Sequence, residues 1–220
     1  MLIVVGARFP RPVRVKVMKR KKAFFITVEG LEGSGKSSVI KFLNRFLKTK
    51  NFSVKVYREP GSTRIGEKIR RILLDKQNKK LSAHTELLLY LAARTQLIEE
   101  KLTKDLKNYD FVICDRFFDS TLVYQGYALG LGRIVNQAVR IFSLGVKPDL
   151  TFYLDVSAKT GLSRLGQRDR IESRPLAFHR KLRQGFLKLS RKNRKRIKVI
   201  DAGGSLEDIY KQTRRILEKY

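Results

Sequence analysis

Cysteine is almost missing from this 220-residue chain. Cys114 is the single one, so no intrachain disulfide can form, and a reducing, cytoplasmic setting is expected. Long apolar runs are missing too. None approaches the roughly 18–20 residues of a membrane span. The opening Met1-Leu2-Ile3-Val4-Val5 is too short for a signal-sequence core, and no charged segment precedes it. Acid is scarce: 20 Asp and Glu stand against 49 Lys and Arg, a net charge of +29. His84 and His179 have no Cys or acidic partners at metal spacing, so neither reads as a ligand, and both are expected at the surface or in a groove. No internal repeat is visible. What is present is a 42% hydrophobic chain, which excludes a disordered protein and suits one domain with a sizeable core.

The positive charge is uneven. Residues 1–22 carry eight Lys/Arg and no acid; residues 159–198 carry fifteen against Asp169 and Glu172. Such patches attract polyanions, whether nucleic acid or small nucleotides. The stretch 1–22 has no helical periodicity and contains Pro10 and Pro12. It reads as a flexible basic extension without a catalytic role, with Met18 a plausible start for the compact part. It lacks the serines of an organellar transit peptide.

From Ala23 onward strands and helices alternate. Apolar strands are expected at Phe24–Glu29, Val54–Arg58, Phe111–Asp115, Leu150–Asp155 and Ile197–Ile200. Helices are expected at Lys36–Lys48, Ile65–Leu74 and Thr85–Leu106, with a closing helix from Leu206. Short apolar strands between helices imply a parallel sheet covered on both faces.

Gly30-Leu31-Glu32-Gly33-Ser34-Gly35-Lys36-Ser37 matches GxxxxGK[ST] between a strand and a helix, the context that gives the motif its meaning. Backbone N–H groups of the glycine turn curl around a β-phosphate, and the opening helix adds unpaired N–H groups and a partial positive charge. Lys36 is expected on the β/γ-phosphates, and the Ser37 hydroxyl on Mg²⁺. Asp115, at the carboxyl end of an apolar strand, is placed to hold the same ion or its water. The fold class is therefore α/β: a P-loop three-layer α/β/α arrangement with a five-stranded parallel sheet, one domain over 23–220, and a short lid at about 164–175.

A GTPase would need Asn-Lys-x-Asp, and Asn78-Lys79 is followed by Lys80-Leu81; no helicase-type acidic box is present either. Five segments instead follow one another: Val28-Glu29-Gly30; Arg58-Glu59-Pro60-Gly61 with Gly66–Arg70; Tyr90-Leu91-Ala92-Ala93-Arg94; Asp115-Arg116-Phe117 with Asp119–Gly126; and Pro148-Asp149-Leu150-Thr151 with Arg170-Ile171-Glu172. In this order and spacing the chain resembles the bacterial thymidylate kinase family from about Phe24 to the C-terminus.

The resemblance implies transfer of the γ-phosphate of ATP to dTMP, giving dTDP and ADP, in dTTP biosynthesis by a cytoplasmic homodimer that uses Mg²⁺. It implies that Tyr90 stacks on thymine and Arg94 meets its carbonyl edge. Arg70 and Arg116 would hold the acceptor phosphate, and Thr121 and Gln125 would face the base. Tyr124 would lie under C2′, Glu29 between phosphate and 3′-hydroxyl, and Glu59-Pro60 along the pocket wall. Family members carry a catalytic Arg in the P-loop or the lid. The P-loop here has none, so Arg170 joins Lys36, Glu29 and Arg116 as the expected catalytic set, with Arg164 and Arg168 behind it. The family's second glycine after Glu-Pro-Gly is Ser62 here, so that turn is expected to avoid conformations reserved for glycine. Other readings are another P-loop nucleotide or deoxynucleoside kinase, or a nucleic-acid-binding ATPase.

Overall fold

The computed structural model describes residues 22–220. Apart from Lys22, the expected extension over 1–22 lies outside the described residues. The sheet has five parallel strands: β1 (Phe24–Gly30), β2 (Val54–Arg58), β3 (Phe111–Asp115), β4 (Leu150–Asp155) and β5 (Ile197–Asp201). Their spatial order is β2-β3-β1-β4-β5. All seven residues of β1 are buried, as the central strand of a sheet covered on both faces requires. Alternate side chains go to opposite layers. Phe24, Ile26 and Val28 pack with Val39 and Leu43 of α1 (Lys36–Thr49) and Ile209 of α9 (Leu206–Leu217). Phe25 packs with Leu97 of α3 (Ala83–Leu97) and with Cys114 and Phe117.

The register sets the functional edge. Val28 lies opposite Asp115, Arg58 opposite Asp115, and Gly30 opposite Leu154. The ends of β1, β2 and β3 therefore meet at one carboxyl rim, where open α/β sheets bind ligands.

One expected helix, and one further helical segment, are wound differently from a plain α-helix. The segment expected at Thr85–Leu106 starts at Ala83, where the Ser82 side chain caps Thr85 N–H, and α3 passes through a π-wound turn (Ile98–Leu102) into α4 (Thr103–Asn108). The Thr103 hydroxyl donates to Ile98 O at 2.9 Å, five residues back, which favours the wider turn. The short α5 (Phe118–Thr121) likewise runs into a π-wound segment, Leu122–Ala128, beneath the cleft. Of the other helices, α2 (Arg64–Leu74) packs on α3, and α6 (Gly132–Phe142) packs on the second π-wound segment. Between α7 (Ala158–Ser163) and α8 (Leu176–Lys192) the chain is irregular over 164–175, pinned by the Asp169 carboxylate, which accepts from the N–H groups of Ile171 and Glu172.

Two expectations are corrected here. Ser62 adopts φ +67, the left-handed conformation it was expected to avoid. Its own polar groups hold the turn: the N–H donates to Glu67 Oε1, and the hydroxyl accepts from Arg58 N–H. His179 is 1% exposed, not at the surface or in a groove. It lies three and seven residues before Leu182 and Phe186 on the buried stripe of α8, so the helix carries it inward.

Candidate active site

The P-loop leaves β1 and enters α1. Gly33 (φ +70) shows why glycine is needed: an added Cβ would lie 2.0 Å from Gly161 O, where α7 closes on the loop. Lys36 folds back across the loop and donates from Nζ to Leu31 O at 2.8 Å and Gly30 O at 3.3 Å. Burial, then the neighbouring Arg116, lowers its pKa to about 8. This ammonium is poised for an anion.

Ser37 and Asp115 line the same cleft. Asp115 Oδ1 is buried with no hydrogen-bond partner among the described residues. A hydroxyl and an unsatisfied carboxylate oxygen beside a phosphate loop form the hard-oxygen donor set that suits Mg²⁺, which takes few protein ligands and keeps waters and phosphate oxygens. The residues fit the ion.

Arg116 follows β3 in a left-handed conformation, φ +66, with its N–H donating to Val28 O. Its guanidinium donates to Glu32 Oε1 at 2.8 Å and Ser120 Oγ at 3.1 Å. Burial would lower its pKa, but Tyr124, Glu32, Glu29 and Asp115 surround it and hold it above the ordinary value. Glu32, expected simply as a P-loop position, turns its side chain toward Arg116 and Tyr124. It accepts from the Tyr124 hydroxyl at 2.7 Å and lies 3.7 Å from His179 Nδ1.

Glu29 is fully buried beneath this group, accepting from Phe117 N–H and the Ser120 hydroxyl. Burial, then the nearby Asp119, raises its pKa to about 7. Ser120 thus bridges Glu29 and Arg116, a link missed in the sequence although it stands inside the Asp119–Gly126 segment.

Of the residues expected to bind the acceptor, Glu59, Pro60, Arg70, Tyr90, Thr121, Tyr124 and Gln125 line the cleft. Arg70 donates to Pro60 O at 3.0 Å. Arg94, 1% exposed, is paired with Glu59 at 2.7 Å and retains Nη1 without a partner among the described residues. Glu29, Gly30, Leu31, Ser34, Arg94 and Arg170 lie behind the lining rather than on it, whereas Glu32, Gly33, Gly35, Lys36 and Ser37 are on it.

The three lid arginines part ways. Arg164 lines the cleft and donates to Gly33 O and Ala202 O. Arg168 donates to Leu162 O. Arg170 donates to Leu73 O and is paired at 2.7 Å with Glu86, a buried carboxylate of α3 that the sequence reading passed over. Its signal was the spacing: Glu86 precedes Tyr90 by four residues and Arg94 by eight, one helix face.

The cleft holds about 530 Å³, the size range of nucleotide ligands. The sequence profile of thymidylate kinases matches residues 28–213. The chain is 42% identical over 205 residues to a thymidylate kinase of Thermoanaerobacter sp. (strain X514), covering 90% of this chain and 99% of that one. It is 42% identical over 207 residues to the thymidylate kinase of Enterococcus faecalis, covering 90% and 98%. The crystal structure of thymidylate kinase from Ehrlichia chaffeensis superposes with a TM-score of 0.73 at 30% identity, covering 89% of this chain and 98% of that one.

Proposed function

The chain belongs to the thymidylate kinase family and has its activity, phosphorylating dTMP from ATP, and we propose the following division of that work among its own residues. One observation carries the proposal: a P-loop cation, Lys36, and the acceptor-side group Arg116, Arg70, Tyr90, Thr121 and Gln125 open onto one cleft.

The donor lies on Gly30–Ser37, with Lys36 on the β/γ-phosphates. Mg²⁺, held by Ser37 and Asp115, would neutralise charge between the donor phosphates. Arg116 and Arg70 bind the acceptor phosphate, Arg116 through the planar fork that suits a phosphate edge. The second pKa of a phosphate monoester is near ~6, so the attacking oxygen is largely anionic at neutral pH. No strong base is needed. The protein's task is to bring two anions together in line, and fixed cations do that.

Glu29 and Ser120 act beneath Arg116, holding the loop from which it projects. Tyr124 lies under the sugar and is itself held by Glu32. Tyr90 stacks on the base between the walls formed by Glu59 and Pro60, and Arg94, behind that wall, meets thymine O4 with its unpartnered Nη1 once the base is bound. Cytosine presents a donor at that position and is rejected; dUMP lacks a methyl, worth about 1–3 kcal/mol, and is a poor substrate. Arg164 serves the donor side, beside Gly33. Arg170 is the lid cation for the transferring phosphoryl group, which it reaches by exchanging Glu86 for phosphate as the lid closes.

Residues 23–220 act as one catalytic unit with the lid at 164–175. The single cysteine supports a cytoplasmic setting, and no described helix is long and apolar enough to cross a membrane. Exposed Leu88 on α3 and Ile134, Ile141 and Phe142 on α6 support a homodimer through that face.

A coupled ADP-release assay with Mg²⁺–ATP and dTMP, dUMP, dCMP, UMP and AMP tests the assignment. Turnover should be fastest with dTMP, slower with dUMP and near background with the rest. Equal rates with dCMP would overturn the base-reading roles.

A further inference from the structure

Glu86 is fully buried and is shared by three parts of the molecule. Its Oε1 accepts from Gln125 Nε2 at 2.9 Å, on the π-wound segment under the cleft. Its Oε2 accepts from Arg170 Nη2 at 2.7 Å and Arg174 Nη2 at 2.6 Å, both from the lid. It stands one helical turn before Tyr90.

A carboxylate can only accept. Facing Glu86, the Gln125 amide must therefore turn its NH₂ inward, and the amide oxygen is the polar atom left for the cleft. An acceptor there matches the N3–H of thymine or uracil and faces the lone pair of cytosine N3. The two guanidiniums hold the side chain in place from the lid, and a buried charge without such partners would be costly. Release of either lid arginine leaves the other to hold it.

Resting on the reading that Gln125 faces the base, we propose that Glu86 is a positioning residue that sets the polarity with which Gln125 reads N3 of the acceptor base and ties that readout to the lid. It touches no substrate. Its effect is on discrimination, through the orientation of one amide.

The test uses the full-length enzyme and the substitution Glu86→Gln, whose own amide can either donate or accept and so releases the Gln125 amide to flip. Steady-state kinetics with dTMP and dCMP should show the ratio of kcat/KM for dTMP over dCMP falling by about 10-fold or more. The KM for ATP should change by less than about twofold, because the P-loop is untouched. A merely structural role would lower kcat/KM for dTMP and for dCMP together and leave their ratio unchanged. Gln125→Ala separates the two layers of the argument. If it shifts the ratio while Glu86→Gln does not, the positioning role is overturned and the base-reading role of Gln125 stands. If Gln125→Ala leaves the ratio unmoved, Gln125 does not read the base, and both ideas fall. Should Glu86→Gln fail to fold because Arg170 and Arg174 are stranded, Glu86→Gln with Arg174→Met removes one stranded cation and should show the same loss of discrimination; an unchanged ratio in that variant overturns the proposal.

Discussion

Arg116 donates from Nη2 to Glu32 Oε1 over 2.8 Å, so the arginine that follows β3 is braced by a residue of the phosphate loop itself. The P-loop and Arg116 thereby share one junction, with Tyr124 on the same carboxylate oxygen. Arg116→Lys keeps a positive charge and loses the planar fork. Its kcat/KM for dTMP should fall by about 10²–10³-fold with the KM for ATP little changed, measured by coupled assay. A fall of less than threefold would show that a point charge suffices and that the bracing is incidental.

Lys36 titrates low, at about 8, because burial and Arg116 disfavour its charge. Polyphosphate favours the charged form, so at pH 8.5 binding ATP should take up roughly 0.7 proton per site. Calorimetry in buffers of different ionisation enthalpy reads this uptake directly. Lys36→Ala should abolish both the uptake and turnover while keeping the melting transition of the parent. Substantial turnover in that variant would refute the P-loop assignment.

Glu29 has its pKa raised to about 7, by burial first and Asp119 second. The sign follows from linkage: a carboxyl that keeps its proton more tightly when folded stabilises the fold fully below about 4.5 and loses that contribution as pH rises through about 7. Glu29→Gln cannot titrate. The melting temperature of the variant minus that of the parent should therefore rise between pH 4.5 and 8, followed by thermal unfolding across that range. A flat or falling difference would contradict the raised pKa.

Arg170→Ala is expected to lower kcat by ~10³-fold if this residue acts on the transferring phosphoryl group. The same variant strands part of Glu86, so its melting temperature should be measured alongside. If kcat holds while Arg168→Ala is severe, Arg168 is the lid cation.

The apolar face of α6 leads to a separate expectation. Ile134, Ile141 and Phe142 leave one face of α6 apolar and exposed, and the homodimer proposed above would cover that face. Ile141→Glu should shift the particle from dimer to monomer by light scattering at micromolar concentration. A monomeric parent would overturn the dimer, and a dimeric variant would move the interface elsewhere.

The parts of this protein that local chemistry dictates were legible in the sequence. The inner strands β3, β1 and β4, buried on both faces, appear as apolar runs, and the edge strands β2 and β5, only part-buried, still carry enough Val, Ile and Tyr to be read as strands, so all five fell where expected. A phosphate loop needs glycine at fixed offsets and a lysine at the helix start, so Gly30–Ser37 stood out without any structure. The acceptor residues came in through family resemblance, because Tyr90, Arg94, Thr121 and Gln125 carry no signal that separates a ligand contact from an ordinary helix face.

What the tertiary structure decided were pairings across long sequence separations. The meeting of Glu32 with Arg116, of Glu59 with Arg94, and of Glu86 with Gln125, Arg170 and Arg174 depends on which strand ends and helices the fold brings to one rim. The left-handed Ser62, held by Arg58 and Glu67, and the inward His179, carried by the buried stripe of α8, belong to the same class. Composition and spacing specify what each residue can do locally; charge pairing in a buried cleft depends on who the neighbours are, and only packing the sheet against its helices fixes that.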